Sequence, residues 1–273
     1  MNLAKWMGLF LLTGCAKDSA DSELIDLDGD SSTADGCAQA SEAVTQATYG
    51  KTVDGLSRRF RLSAPAAEAG VALPVLMAFH GGGGADYEFP QQDQFDDLAD
   101  SEGVIMVYPV AELVSPNEGE WLLNTASTGM HDVHFIEEII DALSSRYCVD
   151  EERVYSTGYS LGSMFNYELA CQLSNRFAAV ASFAGTMPVQ PESCELSGNI
   201  SIMHIHGLDD EIIPYSSSWD WKEWDSVGTM MDIPALVDFW SDKNGCSEVT
   251  EDTHGSGLHV VHDGCDGEVR VEH

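Results

Sequence analysis

Thr157-Gly158-Tyr159-Ser160-Leu161-Gly162-Ser163-Met164 lies between a β-prone run, Arg153-Val154-Tyr155-Ser156, and a run from Leu161 to about Leu173 that reads as helix. Glycines on both sides of Ser160 let a strand and a helix cross without Cβ clashes. The spacing therefore predicts a sharp strand-to-helix turn with a strained serine at its apex. Such a turn lifts the hydroxyl clear of a sheet. It also aims the N–H of Leu161, at the helix start, toward the place where a substrate oxyanion would form. Ser160 is the candidate nucleophile, and Leu161 a candidate oxyanion donor.

The neighbouring segments fit a layered sheet. Leu73 to Phe79 and Gly103 to Pro109 are continuous apolar runs, as expected of strands buried on both faces. The first ends in His80-Gly81-Gly82-Gly83-Gly84, where glycines after a buried strand allow close backbone approach to a ligand. Gly82 is the first choice for a second oxyanion donor. From Asp132 a helix carries Phe135, Ile139, Leu143 and Tyr147 at four-residue steps, a core stripe. Ala178 to Gly185 and Asn199 to Ile205 read as further buried strands, and Arg59 to Leu62 as an edge strand. Pro234 and Asn244-Gly245 bracket another helix, and Gly267 to Glu272 reads as a final strand before His273. Strands alternating with helices predict an α/β architecture: a mainly parallel twisted sheet with helices on both faces. Ligands bind beyond the carboxyl ends of such strands, where the glycine loop and Ser160 both fall. The loop after Ile205, His206-Gly207-Leu208-Asp209-Asp210-Glu211, supplies three carboxylates that compete for the role of orienting acid.

The 273 residues carry 46 acidic and 12 basic side chains, a formal charge of −34. That balance excludes nucleic acid and anionic lipid headgroups as partners. Residues 1–14 combine Lys5, a short apolar run from Trp6 to Leu12 and small residues, which reads as a signal peptide. Leu12-Thr13-Gly14-Cys15 resembles a bacterial lipobox, so Cys15 is the expected lipidation site and the expected membrane contact is that anchor alone. Residues 15–36 read as a flexible acidic tether, leaving 37–273 as the folded domain of an exported, cell-surface or outer-membrane lipoprotein, or otherwise an extracellular protein. In an oxidising compartment Cys37, Cys148, Cys171, Cys194, Cys246 and Cys265 predict three disulfides. Cys246 follows a helix stop and Cys265 just precedes the final strand, so a short loop would close between them. Cys171–Cys194 and Cys37–Cys148 complete the expected set. No C-x-x-C or H-x-x-x-H spacing occurs, so no metal site is expected.

Taken jointly, Gly36-Cys37, Phe79-His80-Gly81-Gly82, Asp132-Val133-His134-Phe135, Tyr147-Cys148-Val149-Asp150, Gly158-Tyr159-Ser160, His206-Gly207-Leu208-Asp209-Asp210 and Asn244-Gly245-Cys246 resemble secreted α/β-hydrolase esterases related to polyhydroxybutyrate depolymerases and feruloyl esterases. The resemblance implies the α/β-hydrolase fold, Ser160 as nucleophile and Asp210 as acid. It also implies hydrolysis of ester-bearing polysaccharide or polyester with no cofactor; a monomer is expected. His80 and His206 precede glycines in structural turns. The family's Gly-His-x-Trp-Pro-Gly stretch after the last strand has no counterpart here, so the chain is expected to be truncated or defective at its last strand.

A base in this chain order must follow Asp210, leaving His254, His259, His262 and His273. The first three lie before the final strand, and His273 is the sole stand-in. Two alternatives accompany the serine esterase reading: a non-catalytic surface lipoprotein of the same fold that binds glycans, and a serine peptidase.

Overall fold

The computed structural model describes residues 25–26, 36–83, 92–115, 118–191, 194–220, 227–255 and 257–273. The signal peptide, Cys15, most of the tether and Gly84 lie outside the described residues. The principal strands are β1 (Val44–Val53), β2 (Leu56–Ala64), β3 (Leu73–Phe79), β4 (Ile105–Pro109), β5 (Val149–Tyr159), β6 (Ala179–Phe183), β7 (Ser201–Ile205), β8 (Glu248–His254), β9 (Gly257–Asp263) and β10 (Val271–Glu272). The principal helices are α1 (Gln92–Glu102), α2 (His131–Arg146), α3 (Leu161–Gln172) and α4 (Ile233–Lys243).

One 11-stranded sheet organises the chain, with Ile25–Asp26 at one edge followed by β1-β2-β4-β3-β5-β6-β7-β10-β9-β8. From β4 across to β10 every neighbouring pair is parallel. The β1–β2 hairpin and the β8–β9 hairpin flank it in antiparallel fashion. Crossover helices supply the connections that parallel strands need. The fold is therefore the expected α/β-hydrolase sheet, with three departures. Arg59 to Leu62, read as an edge strand, lie in β2, which is paired with β1 on one side and β4 on the other. Ile25 and Asp26, inside the segment read as a free tether, pair with Tyr49 and Gly50 at the sheet edge. The final strand is shorter than its apolar pattern suggests: Asp266–Glu268 form a 3-10 turn with Gly267 at φ 75°, and pairing begins at Val271.

The main core joins β3, β5 and β6 to α2, α3 and α4, with Met77, Phe79, Phe135, Ile139, Phe165 and Trp240 fully buried. On the opposite face α1 seats Ala99 against Ala78, Met106 and Tyr108. Beyond α1 that face carries Tyr159, Phe183, Met203 and Ile205, which are 38–50% exposed. Tyr159, Phe183 and Ile205 are register neighbours on successive strands.

Three disulfides close, Cys37–Cys148, Cys171–Cys194 and Cys246–Cys265, the three pairs named from the sequence. They tie the domain start to the α2–β5 junction, the end of α3 to the loop before β7, and the two ends of the β8–β9 hairpin. A buried ion pair adds a further tie. Arg58 of β2 meets the Asp132 carboxylate on α2, donates to Val110 O at 3.1 Å and lies over the Phe135 ring at 4.3 Å. The other Asp132 oxygen accepts the Leu122 N–H at 2.8 Å. Asp132→Ala should cost about 3–5 kcal/mol in urea unfolding, because Arg58 is left buried without its counter-charge. Replacing Arg58 and Asp132 together by Met and Leu should cost less than Asp132→Ala alone. An additive double variant would show that the pair is not coupled.

Candidate active site

Ser160 stands between β5 and α3 with φ 53° and ψ −118°, outside the regions L-residues ordinarily occupy. The strain persists because the surrounding backbone crosses too closely for other arrangements. A Cβ on Gly158 would lie 2.2 Å from Gly162 O, and one on Gly162 would lie 2.2 Å from Phe79 O. Ser160 N–H donates to Phe183 O at 3.0 Å, and Ser160 O accepts from Met164 N–H at 3.1 Å. Strand and helix thereby grip the serine from both sides.

The glycine loop after β3 packs against this elbow. A Cβ on Gly81 would sit 3.5 Å from Ser160 Cβ, and one on Gly82 3.5 Å from Leu161 Cδ2. His80 holds the loop by donating from Nδ1 to Gly81 O at 2.7 Å, while its Nε2 accepts the Ala111 N–H at 3.1 Å. Burial lowers the His80 pKa to about 4, against the pull of the Gly81 carbonyl. The ring is thus a neutral structural bridge. Trp121 completes the support: its Nε1–H donates to His80 O at 2.9 Å, and its ring stacks on Phe165 of α3 at 4.5 Å. A tryptophan 41 residues away in the chain carries no periodic signal that would link it to the glycines.

Among Asp209, Asp210 and Glu211, Asp210 is the one whose side chain the loop anchors. Its Oδ1 accepts N–H bonds from Ile212 at 2.8 Å and Ile213 at 2.9 Å, while Asp209 and Glu211 are exposed. Burial opposes the Asp210 charge, but the Ile213 and Ile212 N–H groups and His206 outweigh it and hold the carboxyl below its usual range. Its Oδ2 lies 3.6 Å from His206 Nε2.

His273 extends the ladder beyond β10 through reciprocal backbone bonds with Val260 at 2.7 and 2.9 Å. Its ring centroid lies 6.3 Å from that of His262, and its Nδ1 is buried with no hydrogen-bond partner among the described residues. Strands β6 and β7 separate β10 from β5, so three strand spacings, about 14 Å, lie between the His273 and Ser160 backbones. His254, His259 and His262 are on β8 and β9, farther out. Among the described residues, no histidine hydrogen-bonds Ser160. A cleft of about 670 Å³ opens between the acid loop and the β8–β9 hairpin, lined by Ile205, Leu208, Tyr215, Leu258, His259, Glu272 and His273 among others.

A mainly parallel sheet, a strained serine elbow and a glycine loop beside it define the α/β-hydrolase class. Residues 122–224 match the phospholipase/carboxylesterase family model. The chain is 32% identical over 143 residues to a bifunctional acetylxylan esterase/xylanase of Neocallimastix patriciarum, covering 52% of this chain and 20% of that protein. It is 25% identical over 204 residues to feruloyl esterase B of Piromyces equi, covering 73% and 38%. In fold it resembles the acetyl xylan esterase of Aspergillus awamori, with a TM-score of 0.58, 14% identity and coverage of 83% and 91%. The chain thus has the α/β-hydrolase fold and is similar in sequence to feruloyl and acetylxylan esterases. It spans a fifth to about half the length of the first curated relatives it matches.

Burial has a consequence for pH. His80 and His204 fall to about 4 and about 3, chiefly by desolvation, whereas an unfolded histidine titrates near 6.5. Between those values the unfolded chain binds protons that the folded chain does not, so stability rises with pH across the window. Unfolding free energy should therefore be full above about pH 6.5 and decline toward pH 4. His80→Gln should flatten part of that slope, and an unchanged slope would contradict the buried neutral ring.

Proposed function

We propose that this protein is an exported serine ester hydrolase acting on ester-bearing polysaccharide or polyester. The observation that carries the reading is the strained Ser160 packed against the Gly81-Gly82 loop. Strain of this kind is retained where it places a reacting group. In this reading Ser160 Oγ attacks the ester carbonyl, and the developing oxyanion is taken by the N–H groups of Leu161 and Gly82. Asp210, charged and with Oδ2 outside the Ile212 and Ile213 bonds, is the carboxylate that would orient a proton-accepting imidazole; with none bonded to Ser160 among the described residues, the serine proton passes to water and the rate is slow. The apolar residues beside the elbow, Tyr159, Phe183 and Ile205, suit an apolar acyl or polymer surface. The names of the related esterases favour acetyl or hydroxycinnamoyl groups on xylan. Polyhydroxybutyrate remains a polyester alternative. Three disulfides support an oxidising compartment, and Cys15 is the proposed lipid anchor.

One observation favours a second reading. His273 lies three strands from Ser160, so the described residues hold nucleophile and acid without a base between them. A surface lipoprotein of this fold that binds glycans would have the same geometry.

Turnover of p-nitrophenyl butyrate, methyl ferulate and acetylated xylan separates the two. The esterase reading expects a slow rate lost in Ser160→Ala, several orders of magnitude below a complete triad, since oxyanion stabilisation and binding alone leave roughly 10³–10⁴-fold over water. His273→Ala should leave that rate within about twofold, as a residue three strands away takes no proton from Ser160. Full activity abolished by His273→Ala would overturn the placement of His273. A rate indifferent to Ser160→Ala would favour the glycan-binding reading.

A further inference from the structure

Strand β7 carries a buried histidine, His204, on its helix-facing side, and the chemistry proposed above does not use it. It is the middle of a continuous polar chain through the core. Tyr167 Oη on α3 lies 2.6 Å from His204 Nδ1, His204 Nε2 lies 3.1 Å from His206 Nδ1, and His206 Nε2 lies 2.8 Å from Ile213 O. The last acceptor fixes one end of the chain. A carbonyl oxygen can only accept, so His206 carries a proton on Nε2, and its Nδ1 is the atom that faces His204 as acceptor. His204 then donates from Nε2 and accepts at Nδ1, where the Tyr167 hydroxyl donates. Burial supports this arrangement: it raises the Tyr167 phenol and lowers His204 to about 3, so both stay neutral.

The chain ends on the residue that holds the acid. Ile213 donates its N–H to Asp210 Oδ1 at 2.9 Å and offers its carbonyl to His206, so its backbone is fixed on both sides. At the other end Tyr167 is fully buried and stacks on Trp240 of α4, with ring centroids 6.0 Å apart. Tyr167 shares α3 with the nucleophile elbow, for Ser160 is the N-cap of that helix.

We infer that Tyr167, acting through His204 and His206, is a positioning residue for Asp210, so that one helix places both the nucleophile and the acid. The assignment of Asp210 as acid rests on the proposed function; the directed hydrogen-bond chain does not. A loop carboxylate needs such support, because catalytic groups must be held to within about 0.5 Å of their working geometry.

Long-range ¹H–¹⁵N spectra of histidine-labelled protein at neutral pH test the chain without any substitution. His204 should be neutral with its proton on Nε2, and His206 should carry a proton on Nε2. A His204 ring protonated on Nδ1 would overturn the inference. Tyr167→Phe keeps the ring and the Trp240 stack but removes the donor to His204 Nδ1. It should leave the His204 proton on Nε2, shift the resonance of the unprotonated His204 Nδ1, and raise the Asp210 carboxyl toward its usual range in a ¹³C titration, as its Ile212 and Ile213 N–H bonds loosen. An unchanged His204 Nδ1 resonance, or an unchanged Asp210 titration, in a folded Tyr167→Phe protein would also overturn it. If His204 and Asp210 respond while no protein shows Ser160-dependent turnover, the esterase reading fails and the hydrogen-bond chain stands.

Discussion

The structure depends on one close crossing. At the elbow the backbones of β5, α3 and the end of β3 approach so tightly that side chains on Gly158 and Gly162 would overlap main-chain atoms of their neighbours. Gly185 is constrained in the same way, since a Cβ there would lie 2.4 Å from Ser163 Oγ. The strain at Ser160 is therefore not local. Three segments distant in sequence impose it, and the cost, of the order of 1–3 kcal/mol, is met by the packing of the large core behind it.

Supports radiate from that crossing by short polar links. Toward β3 the glycine loop is held by His80 and Trp121, and Trp121 leans on Phe165 of the same α3 helix. Toward β7 the acid loop is held through Tyr167, again on α3. In both directions a buried neutral imidazole forms the link: His80 ties the glycine loop to Ala111, and His204 ties α3 to His206. Neutral donors and acceptors avoid the desolvation cost that a buried charge would bring. Among the described residues, buried charge is carried by the Arg58–Asp132 pair and by Arg61, which pairs with Asp96; the −34 net charge of the whole chain favours solubility and self-repulsion.

Much of this was legible because the relevant signals are local. The buried strands β3, β4, β6 and β7 are short apolar runs, and α2 has a regular four-residue stripe. The elbow was readable because only glycine permits the crossing. Other elements left little trace. α1 is an acid-rich segment with few apolar side chains, Phe95, Leu98 and Ala99, and its seat on the sheet is set by Met106 and Tyr108. β8, Glu-Val-Thr-Glu-Asp-Thr-His, shows no strong apolar alternation and is a strand because it pairs with β9 across the Cys246–Cys265 bridge.

By itself, then, the sequence determined the fold class, the serine at the strained elbow, the glycine loop beside it and the pairing of Cys246 with Cys265. Each follows from backbone sterics or from residues near one another along the chain. Spacing alone left three carboxylates competing, of which the family resemblance implied Asp210, and four histidines, of which His273 was the sole stand-in. Only the tertiary structure anchored the Asp210 side chain on two backbone N–H groups and set His273 three strands from Ser160. Those outcomes depend on strand order and register. They arise from pairings across the sheet between segments far apart in the chain, which no local pattern encodes.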